Sequence, residues 1–164
     1  MYEYVGPLDV RLAAAGGPGG VYIRSAADLD GWAASDGDAE PFTYVVDAAG
    51  TLRLAHRRSE HVACAGGAAV RAAGEITLGR DGRGWLVSEV SNQSTGYCPD
   101  VTSWPAVASA LDRAGLRRPD GFTAAFVFRR CPSCGGTNIV KDGDYTCAVC
   151  GTDLPRHWNF SQQR

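Results

Sequence analysis

Four of the six cysteines in this chain of 164 residues form two closely spaced pairs. The first pair is Cys131-Pro-Ser-Cys134 and the second is Cys147-Ala-Val-Cys150, and each is followed by a glycine that tolerates a sharp bend. Four thiolates at this spacing predict one tetrahedral zinc site. Because protein would fill every position around the ion, the predicted role of the metal is structural.

The residues between the two pairs predict a hairpin that the metal would close. Asn138–Lys141 and Tyr145–Cys147 flank the tight-turn signal Asp142-Gly-Asp144. The stretch from Cys131 to Asp153 resembles a zinc ribbon, and the resemblance implies no reaction. It implies four ligands, which are Cys131, Cys134, Cys147 and Cys150. Two disulfides or a chance cluster of cysteines are the alternatives.

Length and composition limit the class of protein. The chain suits one domain, or an α+β body of residues 1–128 with a zinc ribbon and tail, residues 129–164, packed on it. Its start lacks a basic and then apolar leader, and no run approaches the roughly 20 apolar residues of a membrane span. Unpaired thiols beside a four-cysteine metal site are typical of a reducing compartment. We therefore expect a cytoplasmic protein that does not contact a membrane.

Arginine carries almost all of the basic charge. Lys141 is the only lysine among 16 basic residues, and alanine and glycine are abundant, which is typical of a GC-rich bacterial genome. Arginine pairs at 57–58, 117–118 and 129–130 would form an anion-binding face if they converged. The net charge of −2 and the acidic residues between 28 and 40 instead favour solvated surface charge. Nucleic-acid binding through the zinc ribbon is one functional hypothesis, and the composition argues against it.

Hydrophobic periodicity predicts the α+β class, with a mainly antiparallel sheet, two helices and the carboxy-terminal zinc ribbon. Ser25 and Asp28 predict the start of the first helix, Thr102 and Ser103 cap the second, and Gly115 ends it. The predicted helices run to about Ser35 and from Trp104 to Ala114, and Asp36–Pro41 is a predicted loop. Turns are predicted at Ala48–Gly50 and at Gly79–Gly84, each between two strands. The predicted strands are Val21–Arg24, Phe42–Asp47, Thr51–His56, Ala72–Leu78, Trp85–Asn92 and Phe122–Phe128.

Two segments carry more polar groups than packing requires, and both leave the ends of predicted strands. They are His56-Arg-Arg-Ser-Glu-His-Val-Ala-Cys64 and Asn92-Gln-Ser-Thr-Gly-Tyr-Cys-Pro99. Because loops at neighbouring strand ends commonly hold ligands, we expect loops 56–67 and 92–99 to form one polar pocket. The candidate ligand-binding residues are Ser59, Glu60, His61, Asn92, Ser94 and Tyr97.

The leading functional hypothesis is a binding or accessory module that uses this pocket for a protein or for a small polar or anionic ligand. The alternative is a small enzyme, a transferase or hydrolase, in which His61 or His56 activates Cys64 or Ser59 and Glu60 orients the base. A buried, inert Cys64 and a turn-forming role for residues 92–99 are the structural alternatives.

The order of these segments resembles two groups of proteins. From Ser59-Glu-His to Ser94-Thr-Gly-Tyr-Cys-Pro99 the chain is similar to plant IQ-motif calmodulin-binding proteins and to toxin-like bacterial domains. Gly96 stands where that pattern has a histidine and no IQ motif occurs, so neither calmodulin binding nor a histidine-dependent reaction is implied. Residues 42–160 more closely resemble a bacterial family, common in actinobacteria and myxobacteria, that ends in a zinc ribbon and supplies no activity.

Overall fold

A computed structural model describes residues 1–33 and 41–160. In chain order the elements are α1 (Leu8–Ala14), β1 (Val21–Ile23), α2 (Ala26–Ala33), β2 (Phe42–Val46), β3 (Leu52–Ala55), α3 (His61–Cys64), β4 (Ala72–Asp81), β5 (Gly84–Val90), a 3₁₀ turn (Val101–Ser103), α4 (Trp104–Arg113), β6 (Val127–Arg130) and β7 (Thr137–Val140). The predicted helix end at Ser35 and the predicted loop up to Glu40 lie outside the described residues. Within those residues, no helix has both the length and the apolarity that crossing a bilayer requires.

Five strands form one antiparallel sheet in the order β1-β3-β2-β4-β5. β2 and β3 form a hairpin around the predicted turn at Gly50, with Val46 opposite Leu52. β4 and β5 form a second hairpin in which Asp81 pairs with Gly84. Both strands therefore continue into the turn that was predicted at Gly79–Gly84. The α+β class and the mainly antiparallel sheet are confirmed, and the helices α1 and α3 are additions to the two predicted ones.

Each face of the sheet is covered by a separate core. Tyr44 and Val46 point into the larger core, which α2 and α4 complete. Val45 points the other way, into a smaller core that includes Val62 of α3 and Tyr97. Successive residues of a strand alternate between faces, so β2 is buried on both sides and holds the two cores together.

The two predicted helices begin in different ways. At α2, Asp28 Oδ2 accepts the N–H of Ser25 at 3.1 Å and Ser25 Oγ accepts the N–H of Asp28 at 3.3 Å, which is the predicted capping box. At α4 the predicted cap was wrong, because the 3₁₀ turn Val101–Ser103 precedes the helix and Ser103 makes no side-chain cap. Asp100 instead accepts the N–H of Val101 at 2.9 Å.

The strand predicted at Phe122–Phe128 is only partly present, since β6 begins at Val127. β6 pairs with β7 and lies outside the five-stranded sheet. Residues 123–126 follow the end of β5 irregularly, with the N–H of Thr123 donating to Val90 O at 2.9 Å. Phe126 and Phe128 pack in an aromatic cluster with Trp158 and Phe160, whereas Phe122 packs with Trp104 against the larger core.

The turn predicted between the cysteine pairs is present, but its strand pairing differs. Asp142 and Gly143 have φ values of +52° and +73°, and the N–H of Asp144 donates to Lys141 O at 2.9 Å. β7 pairs with β6 and not with Tyr145–Cys147 as predicted. The hairpin partner of β7 therefore precedes the first cysteine in the chain.

Candidate metal centre and ligand cavity

Each cysteine pair forms the same backbone bend. The N–H of Gly135 donates to Cys131 O and the N–H of Gly151 donates to Cys147 O, both at 2.9 Å. The two glycines have φ values of +72° and +74°. Residues with a Cβ rarely adopt this conformation, so the glycine after each pair allows the chain to bend back around the sulfur atoms.

The two bends bring four sulfur atoms together. The Sγ atoms of the predicted ligands all lie within 4.8 Å of one another. The nearest pairs join opposite bends, with Cys131 and Cys150 at 3.5 Å and Cys134 and Cys147 at 3.6 Å. Zn–S bonds of about 2.3 Å in a tetrahedron place sulfurs about 3.8 Å apart. The cluster therefore fits a metal ion, and the cysteines are free, so the disulfide alternative does not hold in this structure.

Hydrogen-bond donors surround the sulfurs of the second bend. The backbone N–H groups of Cys150 and Val149 are the main cause of a lowered pKa at Cys147, which falls to about 6. The hydroxyl of Thr152, followed by its N–H, lowers the pKa of Cys150. A lower pKa favours the thiolate, which is the form that binds metals.

Asn138, which the sequence did not single out, contacts a candidate metal ligand. Its side chain is buried, its Nδ2 lies 3.5 Å from Cys147 Sγ and donates to Gly136 O at 3.0 Å, and its Oδ1 accepts the N–H of Ala148 at 2.9 Å. It therefore links β7 to the second bend and donates to a candidate ligand. The sequence signal that could have identified it is an amide directly before the apolar residues Ile139 and Val140, between the two cysteine pairs.

The candidate residues of the first polar loop lie at the start of α3. Ser59 is half-buried, and Glu60 is the exposed residue that precedes the helix. His61 Nε2 lies 2.9 Å from Gly74 O, and burial lowers the pKa of this histidine. Because a carbonyl only accepts hydrogen bonds, Nε2 carries the proton in this contact.

Cys64 follows on α3 and is a buried thiol. Its side chain is 2% exposed, and its Sγ donates to Arg53 O at 3.6 Å. Burial is the main cause that raises the pKa of Cys64, to about 11. The thiol is therefore protonated near neutral pH and lacks the accessible thiolate of a cysteine nucleophile.

The candidate residues of the second polar loop are buried and bonded to the backbone. Asn92 donates to Phe126 O at 2.8 Å and accepts the N–H of the same residue at 2.7 Å. Ser94 Oγ accepts the N–H of Tyr97 at 3.3 Å, and the Tyr97 hydroxyl donates to Ala68 O at 2.6 Å. Tyr97 thus joins loop 92–99 to the residues that follow loop 56–67, while a ligand shared by the two loops stays a prediction.

A cavity of about 420 Å³ borders the first polar loop, residues 56–67. Its lining includes the glycine-rich residues 17–20, the end of β3 at residues 54–56, Trp32, and two residues of α3, Ala63 and Cys64. Ser59 also lines this cavity, whereas its lining residues include none from 92–99. The structure therefore places one of the six candidate residues at this recess.

No protein-family model, curated protein or solved structure matches the chain.

Proposed function

We propose that this chain is a cytoplasmic bacterial binding protein whose carboxy-terminal part folds around one structural Zn²⁺. The convergence of four sulfurs from two bends supports the metal site. Soft thiolates, with no carboxylate in the cluster, favour zinc over hard cations such as Mg²⁺ and Ca²⁺. All four positions are supplied by protein, so the ion stabilises the fold and leaves none for substrate.

The state of Cys64 favours a binding role over the small-enzyme alternative. Cysteine nucleophiles are accessible and have a lowered pKa, whereas Cys64 is 2% exposed and its pKa is raised to about 11. His61, the nearest candidate base in sequence, uses Nε2 to contact Gly74 O. These contacts give Cys64 and His61 structural roles.

The ligand site that we propose is the cavity beside loop 56–67. Ser59 and His56 supply the polar side chains of its lining. Loop 92–99 supports this region from behind, through the hydrogen bond of Tyr97 to Ala68 O at 2.6 Å. The two loops thus have different roles, since one contacts the ligand and the other holds the first in place.

Cysteine alkylation tests the metal site and the binding role together. In the zinc-loaded protein we expect iodoacetamide to label all six cysteines slowly, because four hold the metal and two, Cys64 and Cys98, are buried. A chelator should then make the four cluster cysteines reactive, while Cys64 and Cys98 react only on unfolding. Peptide mass spectrometry with elemental analysis provides the measurement, and we expect about one zinc per chain.

Two outcomes would contradict this proposal. Fast labelling of Cys64 in the folded protein, abolished by His61→Ala, would establish the enzyme alternative. A purified chain without zinc, whose cluster cysteines react at the same rate before and after chelation, would rule out the metal site.

Asn138→Ala should weaken zinc binding about 10- to 100-fold, because groups that hydrogen-bond to metal ligands contribute that much to affinity. Competition with a chromophoric chelator measures the change. Asn159→Ala is the matched control, because Asn159 also links two backbone segments but has no hydrogen bond to a described sulfur. Its Oδ1 accepts the N–H of Arg130 at 2.8 Å, and its Nδ2 donates to Arg130 O at 2.7 Å. An equal loss of zinc affinity in both variants would show a general loss of fold and not a role at the metal.

A further inference from the structure

The wall of the cavity is fixed from behind by Arg53. This side chain is 8% exposed, and its guanidinium donates to Pro18 O at 3.1 Å, Gly20 O at 3.3 Å and Ala65 O at 3.5 Å. It also lies 4.6 Å from the centroid of the Tyr22 ring. Three carbonyl partners hold the glycine loop 17–20 against the end of α3, so the recess is formed before any ligand enters.

The glycine loop also packs too closely for larger residues. A Cβ on Gly20 would lie 2.6 Å from Cys64 Sγ and 2.7 Å from Leu54 O. Glycine therefore lets the loop backbone approach β3 and α3. The volume of the recess, about 420 Å³, lies within the range of small-molecule sites.

The chemistry of the recess favours an uncharged ligand. Among the described residues, its lining contains no Asp, Glu, Lys or Arg side chain. The charge of Arg53 is directed at the carbonyls behind the loop. A charged group placed here would lose hydration without gaining a partner of opposite charge among the described lining residues, which is costly.

An aromatic wall stands on one side of the recess. Trp32 of α2 and His56 after β3 both line it, and their ring centroids lie 5.9 Å apart. Phe42 packs against the Trp32 ring at 4.5 Å and holds its orientation. Trp32 itself is 9% exposed, so only a small part of its indole borders the recess.

We propose that this recess binds a neutral, largely apolar molecule. Its apolar part packs against the lining, and one hydrogen-bonding group of the ligand faces the Ser59 hydroxyl. The inference rests on the proposed binding function and names the class of ligand. The sequence also allowed an anionic ligand, which Arg57 and Arg58 would favour. We propose a neutral ligand instead, because neither arginine is among the lining residues.

Two related fluorescent probes test the ligand class on the zinc-loaded full chain. N-phenyl-1-naphthylamine is neutral, and 8-anilino-1-naphthalenesulfonate has the same ring system with an added sulfonate. We expect the neutral probe to saturate at about one per chain, and the sulfonate probe to bind at least about tenfold more weakly. Titration by fluorescence gives both affinities.

Two cavity-filling variants locate the bound probe. Ala63→Phe on α3 and Ala13→Phe on α1 place a ring in the recess from exposed positions of its lining, so the core is not disturbed. Each should reduce affinity for the neutral probe at least about tenfold with an unchanged melting temperature and zinc content. Ala125→Phe, at an exposed position outside the lining, is the control and should bind as the parent does.

The outcomes separate this inference from the proposed function. Stronger binding of the sulfonate probe, blocked by the same two variants, would overturn the neutral class and leave the binding function in place. Binding of the neutral probe that neither variant reduces would overturn the site. If neither probe saturates, both the ligand class and the binding role of this recess are wrong, whereas the zinc measurements stand independently.

Discussion

Cys147→Ser should abolish zinc binding and lower the melting temperature of the zinc-binding segment, residues 131–154, by more than about 10 °C. A shift of that size corresponds to only a few kcal/mol. Cys147 is 2% exposed and belongs to a small core with Cys131 and Leu154, against which Val140 and Tyr145 pack. So few apolar residues bury too little surface to fold without a metal. Zinc contributes about 10–16 kcal/mol of apparent binding free energy in small zinc-dependent folds, and a neutral serine hydroxyl does not replace a thiolate ligand.

The loss should be local. The aromatic cluster of Phe128 and Phe160 packs with Cys98 and remains available to hold β6, so we expect residues 131–154 to unfold while the five-stranded sheet persists. Calorimetry, elemental analysis and amide hydrogen exchange measure these effects. Ser133→Ala, at an exposed position of the first bend, is the control and should keep both zinc and melting temperature. An unchanged melting temperature after chelation of the parent protein would falsify the structural role.

Local patterns account for most of what the sequence predicted correctly about the fold. The capping box at Ser25 and Asp28 and the turn at Gly50 depend on neighbours within a few residues, and both are present. The partner of β6 depends on contacts far along the chain. Alternation of phenylalanines predicted a strand at 122–128 but carried no information about which strand would pair with it.

The same distinction divides the candidate sites. Two Cys-x-x-Cys pairs a short distance apart in the sequence are typical of zinc sites, so the convergence of the four sulfur atoms could be predicted. The cavity brings together Gly17–Gly20, Trp32 and residues 54–64, which are distant in sequence and have no shared chemical signature. Polar residues in a loop are ambiguous for a related reason, because an amide that binds a ligand and an amide that binds the backbone are the same residue type.

Asn92→Ala should cost about 3 kcal/mol or more of unfolding free energy, since each buried polar group left without a partner costs about 1–3 kcal/mol. Asn92 is fully buried and makes three hydrogen bonds. Its Nδ2 donates to Pro99 O at 3.0 Å and to Phe126 O at 2.8 Å, and its Oδ1 accepts the N–H of Phe126 at 2.7 Å. These bonds tie the end of β5 to the segment that leads into β6. Alanine removes both the donor and the acceptor, and the buried backbone groups lose their partners.

Urea denaturation with linear extrapolation measures this loss, and the neutral naphthylamine probe reports the ligand site in the same variant. Gln93→Ala is the control, because Gln93 borders a surface recess and should change stability by less than about 0.5 kcal/mol. We expect Asn92→Ala to retain the affinity of the folded fraction for the probe. Loss of probe binding at unchanged stability would instead make Asn92 a ligand-binding residue, as its place in the polar loop first predicted. The three hydrogen bonds of Asn92 favour the opposite result, since they engage its amide on both sides and leave it turned toward the backbone of residues 99 and 126.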